Sequence, residues 1–166
     1  MKKLYLVRHA KSSWDDYTLM DEERPLNERG KRDAPVMAEL LKEKESDIQF
    51  MITSTAKRAR ATARVFRKVL GLSKDRVLKS ERLYLASPSG ILDVLHSLED
   101  VYDTVAIFGH NPGLTDFVNR FSDQLVDNVP TCGIARIDFD VDSWREIQDE
   151  EGDLTAFYYP KMPGLL

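Results

Sequence analysis

The chain has 166 residues, 42% hydrophobic and 31% charged, which excludes collagen-like or disordered polymers and suffices for one domain over 1–166 with its own core. Its 24 basic and 28 acidic residues leave a net charge of -4, so the global balance gives no reason to expect nucleic acid, and a cationic site has to be built against the average. The single Cys132 excludes an internal disulfide and fits a reducing cytoplasm, and no apolar segment has the length of a membrane span.

The first element is Leu4-Tyr5-Leu6-Val7, an apolar β-prone run too strand-like for a signal peptide, which ends abruptly in Arg8-His9-Ala10. A buried strand of an open α/β sheet delivers such residues to its carboxyl end, where ligand sites lie. Lys11 to Arg24 is polar and turn-rich, with acidic clusters at Asp15-Asp16 and Asp21-Glu22-Glu23, and reads as a surface loop. Asn27 is placed to cap a helix whose apolar positions Ala34, Met37, Ala38 and Leu41 recur at helical spacing. Pro35 removes a hydrogen bond inside that pattern, so the helix is expected either to start late, near Asp33, or to bend.

Gln49 to Thr53 is a second short strand, and Ser54 or Thr55 is the expected cap of a helix running to Leu70, with Gly71 as its stop. Ala59, Ala63, Phe66 and Leu70 form its apolar stripe. Counted from Thr55, Arg58 falls in the first turn, beside unpaired amides and the positive end of the helix dipole, a misplaced cation unless an anion joins it. The competing reading makes Lys57, Arg58, Arg60, Arg64 and Arg67 a solvated basic face. Arg76 to Lys79 is the third strand, and Ser87-Pro88 opens a helix that turns Ile91, Leu95 and Leu98 inward and leaves His96 exposed.

Thr104 to Phe108 is an unbroken apolar run, suited to a central parallel strand covered on both faces. It leads into Gly109-His110-Asn111-Pro112-Gly113, where Asn111 and Pro112 fit the cap and first position of a helix with Leu114, Phe117, Val118 and Phe121 inward. Cys132 reads as a buried, inert thiol. Ile134 to Phe139 and Thr155 to Tyr159 are expected to extend the sheet on one side as an antiparallel pair.

Strand-to-helix alternation implies parallel strands, which brings Arg8, His9, Arg58 and His110 to one edge of the sheet. Guanidiniums bind phosphate oxygens through charge-assisted hydrogen bonds, and a neutral imidazole nitrogen is a nucleophile near neutral pH. The pattern therefore describes an anion pocket with a nucleophile in it. Zinc is disfavoured, since no third ligand has suitable spacing and the arginines repel a cation. Arg24 either reaches the same pocket or pairs with the acidic cluster beside it, and Asn111, next to His110, is a further candidate substrate contact.

Leu-Val-Arg8-His9-Ala, then Thr-Ser54-Thr-Ala-Lys-Arg58-Ala-Arg-Ala-Thr62-Ala63, then Phe-Gly-His110-Asn-Pro, resembles the histidine phosphatase superfamily in its small SixA-type branch. Arg24-Pro25-Leu26 followed by Gly30, and Leu83-Tyr84-Leu85-Ala86, look like that branch as well, so the likeness spans nearly the whole chain in order. It implies the phosphoglycerate mutase-like fold, a three-layer α-β-α sandwich around a mostly parallel sheet. It also implies that His9 attacks phosphorus to form a phosphohistidine intermediate, while Arg8, Arg58 and His110 hold the phosphoryl oxygens, without a metal or other cofactor. Larger members use a carboxylic acid to protonate the leaving oxygen, and Glu81 is the nearest candidate; a solvated carboxylate at a helix entry is the competing reading.

Little chain lies between the third strand and the next helix for a cap over the pocket, which favours phosphohistidine displayed on a protein. The alternatives are a small phosphomonoester substrate and a non-catalytic phosphate- or phosphoprotein-binding module. Neither a nucleic-acid nor a membrane partner is expected, and the sequence leaves the oligomeric state open.

Overall fold

A computed structural model describes residues 1–45, 47–149 and 151–164. Six strands form one sheet in the order β3-β2-β4-β1-β5-β6, namely β1 (Lys2–Arg8), β2 (Phe50–Ser54), β3 (Val77–Ser80), β4 (Thr104–Gly109), β5 (Ile134–Phe139) and β6 (Asp153–Tyr158). β1, β2, β3 and β4 run parallel, whereas β5 pairs antiparallel with β1 and β6 antiparallel with β5, the pair foreseen at one side of the sheet. Four helices accompany them: α1 (Glu28–Lys44), α2 (Lys57–Leu70), α3 (Pro88–His96) and α4 (Gly113–Phe121).

Strand β4 explains why the molecule has three layers. Every one of its residues is buried, and successive side chains point to opposite faces. Val105 and Ile107 pack with Leu4, Leu6 and Ile52 against Ile91 and Leu95 of α3 and Leu114 and Phe117 of α4. Ala106 and Phe108 pack with Tyr5, Val7 and Met51 against Met37 and Leu41 of α1 and Phe66 of α2. Each helix contributes one apolar stripe and the sheet contributes two faces, which gives an α-β-α sandwich.

The boundaries depart from the sequence expectations at identifiable points. Asn27 does cap α1, accepting from the Gly30 amide at 2.9 Å, but the helix starts at Glu28 rather than late, and Pro35 lies within it at an exposed position. The Ncap of α2 is Ala56 rather than Ser54 or Thr55. The Ser54 hydroxyl still accepts from the Ala56 amide at 3.2 Å, while Thr55 is drawn away to donate to Glu22. Gly71 ends α2 with φ 74, the left-handed conformation that favours glycine. In α4 the helical residues begin at Gly113, one later than expected, with Pro112 at the Ncap. His96 is half-buried rather than exposed, its Nε2 enclosed without a partner among the described residues.

Candidate active site

The carboxyl ends of β1, β2 and β4 set the walls of a cavity of about 290 Å³ lined by Arg8, His9, Arg58, His110, Asp21 and Arg24, among others. Parallel pairing aligns Arg8 with Gly109, so the residues that follow the two strands, His9 and His110, lie side by side with ring centroids 5.3 Å apart. Arg58 comes from the first turn of α2 and is 2% exposed. The loop after β1 returns through Arg24, 8% exposed, which donates to the Ser12 hydroxyl at 2.7 Å and lies 3.6 Å from the Trp14 ring centroid.

Hydrogen-bond partners fix the two imidazoles differently. His9 Nδ1 lies 2.7 Å from the Ala10 carbonyl oxygen, which only accepts, so Nδ1 carries the proton and the Nε2 lone pair is free. His110 Nδ1 faces Arg58 Nη2 at 3.4 Å, which only donates, so its proton sits on Nε2 and is given to Ser54 Oγ at 2.7 Å. Burial is the main force on both rings. It pulls His9 down to about 3, with the charges of Arg58 and Arg8 and the His110 ring adding to the effect against the Ala10 carbonyl. His110 falls to about 4 by burial and then by the Arg58 charge. Both imidazoles are therefore neutral at pH 7.

The arginines are held by the backbone and by one carboxylate. Arg8 donates to the Val129 carbonyl at 3.1 Å. Arg58 donates to the Asp21 carbonyl at 2.7 Å and to Asp21 Oδ2 at 2.9 Å. Asp21 also accepts from Arg24, at 3.3 Å from Nε and 3.2 Å from Nη2, and from the Tyr84 hydroxyl. Burial alone would raise the Asp21 carboxyl, but the hydrogen bonds of Tyr84 and Arg58, the Arg58 charge and Arg24 outweigh it and hold the group at about 2. After these bonds, the buried Nε atoms of Arg8 and Arg58 have no protein acceptor among the described residues. Each is an N–H donor whose desolvation no acceptor among the described residues compensates.

The remaining candidates occupy different places. Asn111 lines the cavity, yet its side chain is already engaged: Nδ2 donates to Asn128 and to the Val129 carbonyl, each at 2.9 Å, and Oδ1 accepts from the Thr115 hydroxyl at 2.9 Å. It thereby braces the same carbonyl that receives Arg8. Glu81 opens a 3-10 turn, Glu81–Leu83, is exposed, and does not line the cavity. Instead that turn carries Tyr84 to Asp21 and against His110, ring centroids 5.5 Å apart. Cys132 is buried and its thiol is pushed up by burial, while its amide lies 3.0 Å from both the Arg8 and His9 carbonyls and pins the end of β1.

Asp21, Tyr84 and Ser54 were not singled out from the sequence as site residues. Asp21 sits three positions before Arg24, and that spacing is the one local signal for it.

A family model described as the histidine phosphatase superfamily (branch 1) matches residues 4–83. An uncharacterized chloroplastic protein of Arabidopsis thaliana is 30% identical over 153 residues, 87% of this chain and 70% of its own. An uncharacterized protein of Mycobacterium leprae is 29% identical over 168 residues, 93% of this chain and 100% of its own. Among solved structures, SixA from Agrobacterium tumefaciens superposes with a TM-score of 0.80 at 25% identity, covering 96% of this chain and 98% of that one. The protein histidine phosphatase SixA complexed with tungstate shares the fold, with a TM-score of 0.81 at 20% identity over 95% and 97% of the two chains.

Proposed function

Because the chain belongs to the histidine phosphatase superfamily, in its small SixA-type branch, we propose that it is a metal-independent phosphatase working through a phospho-His9 intermediate, with protein phosphohistidine as substrate. The observation that carries this reading is the pair of buried, unaccepted Nε–H donors, on Arg8 and Arg58, beside an imidazole whose Nε2 lone pair is free. A phosphoryl group meets both needs at once, giving oxygen acceptors to the guanidiniums and an electrophilic phosphorus to His9. The tungstate complex of the SixA-type neighbour supports the same ligand chemistry, since tungstate is a tetrahedral oxyanion.

In the first step the His9 Nε2 lone pair forms an N–P bond as the bond from phosphorus to the leaving nitrogen or oxygen breaks, and the leaving atom takes that electron pair. Arg8 and Arg58 are already fixed, so they meet the charge on the phosphoryl oxygens with little reorganisation. In the second step water attacks phosphorus, the N–P bond to His9 breaks, its electrons return to Nε2, and the water gives up a proton to solvent. Positive charge comes from the guanidiniums, which would repel a metal ion at the same place. A departing histidine nitrogen of the substrate leaves in a protonated ring, so Glu81 has no required part; for an oxygen leaving group it remains the proposed acid, approaching from its exposed turn.

Two features support a macromolecular substrate. Only residues 81–87 lie between β3 and α3, too few for a helical cap over the pocket. Trp14, 67% exposed, and Leu85, 57% exposed, stand at the cavity wall, where apolar side chains suit contact with a second protein surface. The test is turnover of a phosphohistidine peptide and of an aryl phosphate in parallel, with chelator present, by wild type and His9→Ala. Hydrolysis by wild type alone, faster on the phosphohistidine peptide, is expected. Turnover confined to the aryl phosphate would move the activity to small phosphoesters, and phosphate binding without turnover would make the protein a binding module.

A further inference from the structure

A second cavity, of about 480 Å³, lies between α2 and the edge strand β3, and six cations line it: Arg60, Arg64, Arg67, Lys68, Lys74 and Lys79. No carboxylate lines it. None of the six is in an ion pair among the described residues, although the chain as a whole carries a net charge of -4. Two of the arginines are braced by the backbone, Arg60 Nε donating to the Thr55 carbonyl at 2.9 Å and Arg67 Nη1 to the Leu72 carbonyl at 3.0 Å. Lys79 on β3 alone would be explained as a guard against edge-to-edge pairing. The four cations on α2 are not at the sheet edge, so that explanation does not reach them.

We propose that this groove docks an acidic segment of the phosphorylated partner protein while the pocket around His9 holds its phosphoryl group; the proposal rests on the phosphatase reading above. The two sites share their supports. On β2, Thr53 lines the groove and the next residue, Ser54, holds His110. On α2, Arg58 lines the pocket and Arg60, two residues on, lines the groove. The separation is therefore on the order of one helix diameter, about 10 Å, which three or four extended residues span at about 3.3 Å each. Arg60, Arg64 and Lys68 repeat at four-residue spacing and form a row about 12 Å long, enough for a short acidic run. The negative balance elsewhere repels an acidic partner and the groove attracts it, which orients the encounter. Single-stranded nucleic acid is disfavoured, because no aromatic side chain lines the groove for bases to stack on.

Three synthetic substrates test this: a phosphohistidine peptide extended by four glutamates, the same peptide extended by four serines, and an aryl phosphate. The variants are Arg64→Glu/Lys68→Glu/Lys79→Glu and, in case reversal impairs folding, Arg64→Gln/Lys68→Gln/Lys79→Gln, all at exposed positions. Wild type is expected to prefer the glutamate peptide by about tenfold in kcat/KM, mostly through KM, with the preference shrinking as salt is raised. Both variants should lose the preference and keep the aryl phosphate and serine-peptide rates. Equal rates on the two peptides in wild type, or a preference that survives in the variants, would overturn the docking site while leaving the phosphatase intact. Tight binding of tripolyphosphate or a single-stranded oligonucleotide through these residues, with no peptide preference, would overturn it too, as the groove would then serve another anion. Failure of all three substrates in wild type would instead count against the phosphatase reading.

Discussion

Ala10 takes one nitrogen of His9 and leaves the lone pair of the other free, whereas Ser54 and Arg58 engage both nitrogens of His110. The family resemblance implies that His110 holds the phosphoryl group, so the Ser54 hydroxyl that fixes its ring orientation, with Arg58 fixing the tautomer, is expected to matter although it touches no substrate. Ser54→Ala is expected to lower kcat about tenfold, corresponding to one hydrogen bond of about 1.4 kcal/mol, with KM nearly unchanged and Ser54→Thr restoring much of the rate. An unchanged kcat in Ser54→Ala would remove this positioning role. Arg8, His9, Arg58 and His110 could be placed at one edge of the sheet from the sequence because each lies at the end of a strand or the start of a helix, while their roles rested on the family resemblance. Asp21, Tyr84 and Ser54 were not legible as site residues, because what they do is decided by contacts such as Asp21 with Arg58 and Tyr84, 37 and 63 residues away. The sequence drew attention to Glu81, whereas the turn that begins there directs its neighbour Tyr84 to the site.

Elements were read more faithfully than their ends. The apolar run of β4, the alternation of β5 and the stripe of α2 announced themselves through burial, and the sheet assembled from them accordingly. Ends were decided by single side chains: with Thr55 bonded to Glu22 and Ser54 to His110, the Ncap of α2 falls at Ala56. Of the two outcomes expected from Pro35, the late start is not taken: at an exposed position the proline leaves α1 running from Glu28 to Lys44 despite one missing amide bond. The start of α4 depends on close approach: a Cβ on Gly113 would lie 1.8 Å from the Ala86 carbonyl oxygen. Gly113→Ala must therefore push α4 from the segment before α3, and His110 lies just ahead of it. The expected outcome is a loss of about 2–3 kcal/mol in urea unfolding, in the range for overpacking a tight contact, together with reduced turnover. Wild-type stability and rate in this variant would show that the approach is not maintained.

At the scale of the whole molecule, the site is expected to make folding sensitive to acid. His9 and His110 are buried neutral, at about 3 and about 4, whereas in the unfolded chain a histidine titrates near 6.5. Between pH 6.5 and pH 4 the unfolded state takes up protons that the native state refuses, so stability falls as pH falls through this window, on the order of several kcal/mol. Urea midpoints at pH 7 and pH 4.5 should differ far more for wild type than for His9→Gln/His110→Gln; parallel behaviour would show that these rings do not drive the change. In the proposed mechanism the same neutrality leaves His9 able to act as a nucleophile at pH 7, so one arrangement ties the proposed reactivity to the expected acid sensitivity. The most direct test of that arrangement is to mix enzyme with an aryl phosphate, quench in alkaline denaturant, and weigh and map the protein. The account predicts one added phosphoryl group on His9 Nε2 within the first turnover, absent in His9→Ala. Turnover without any phosphorylated His9, or with the phosphoryl group on another residue, would contradict it.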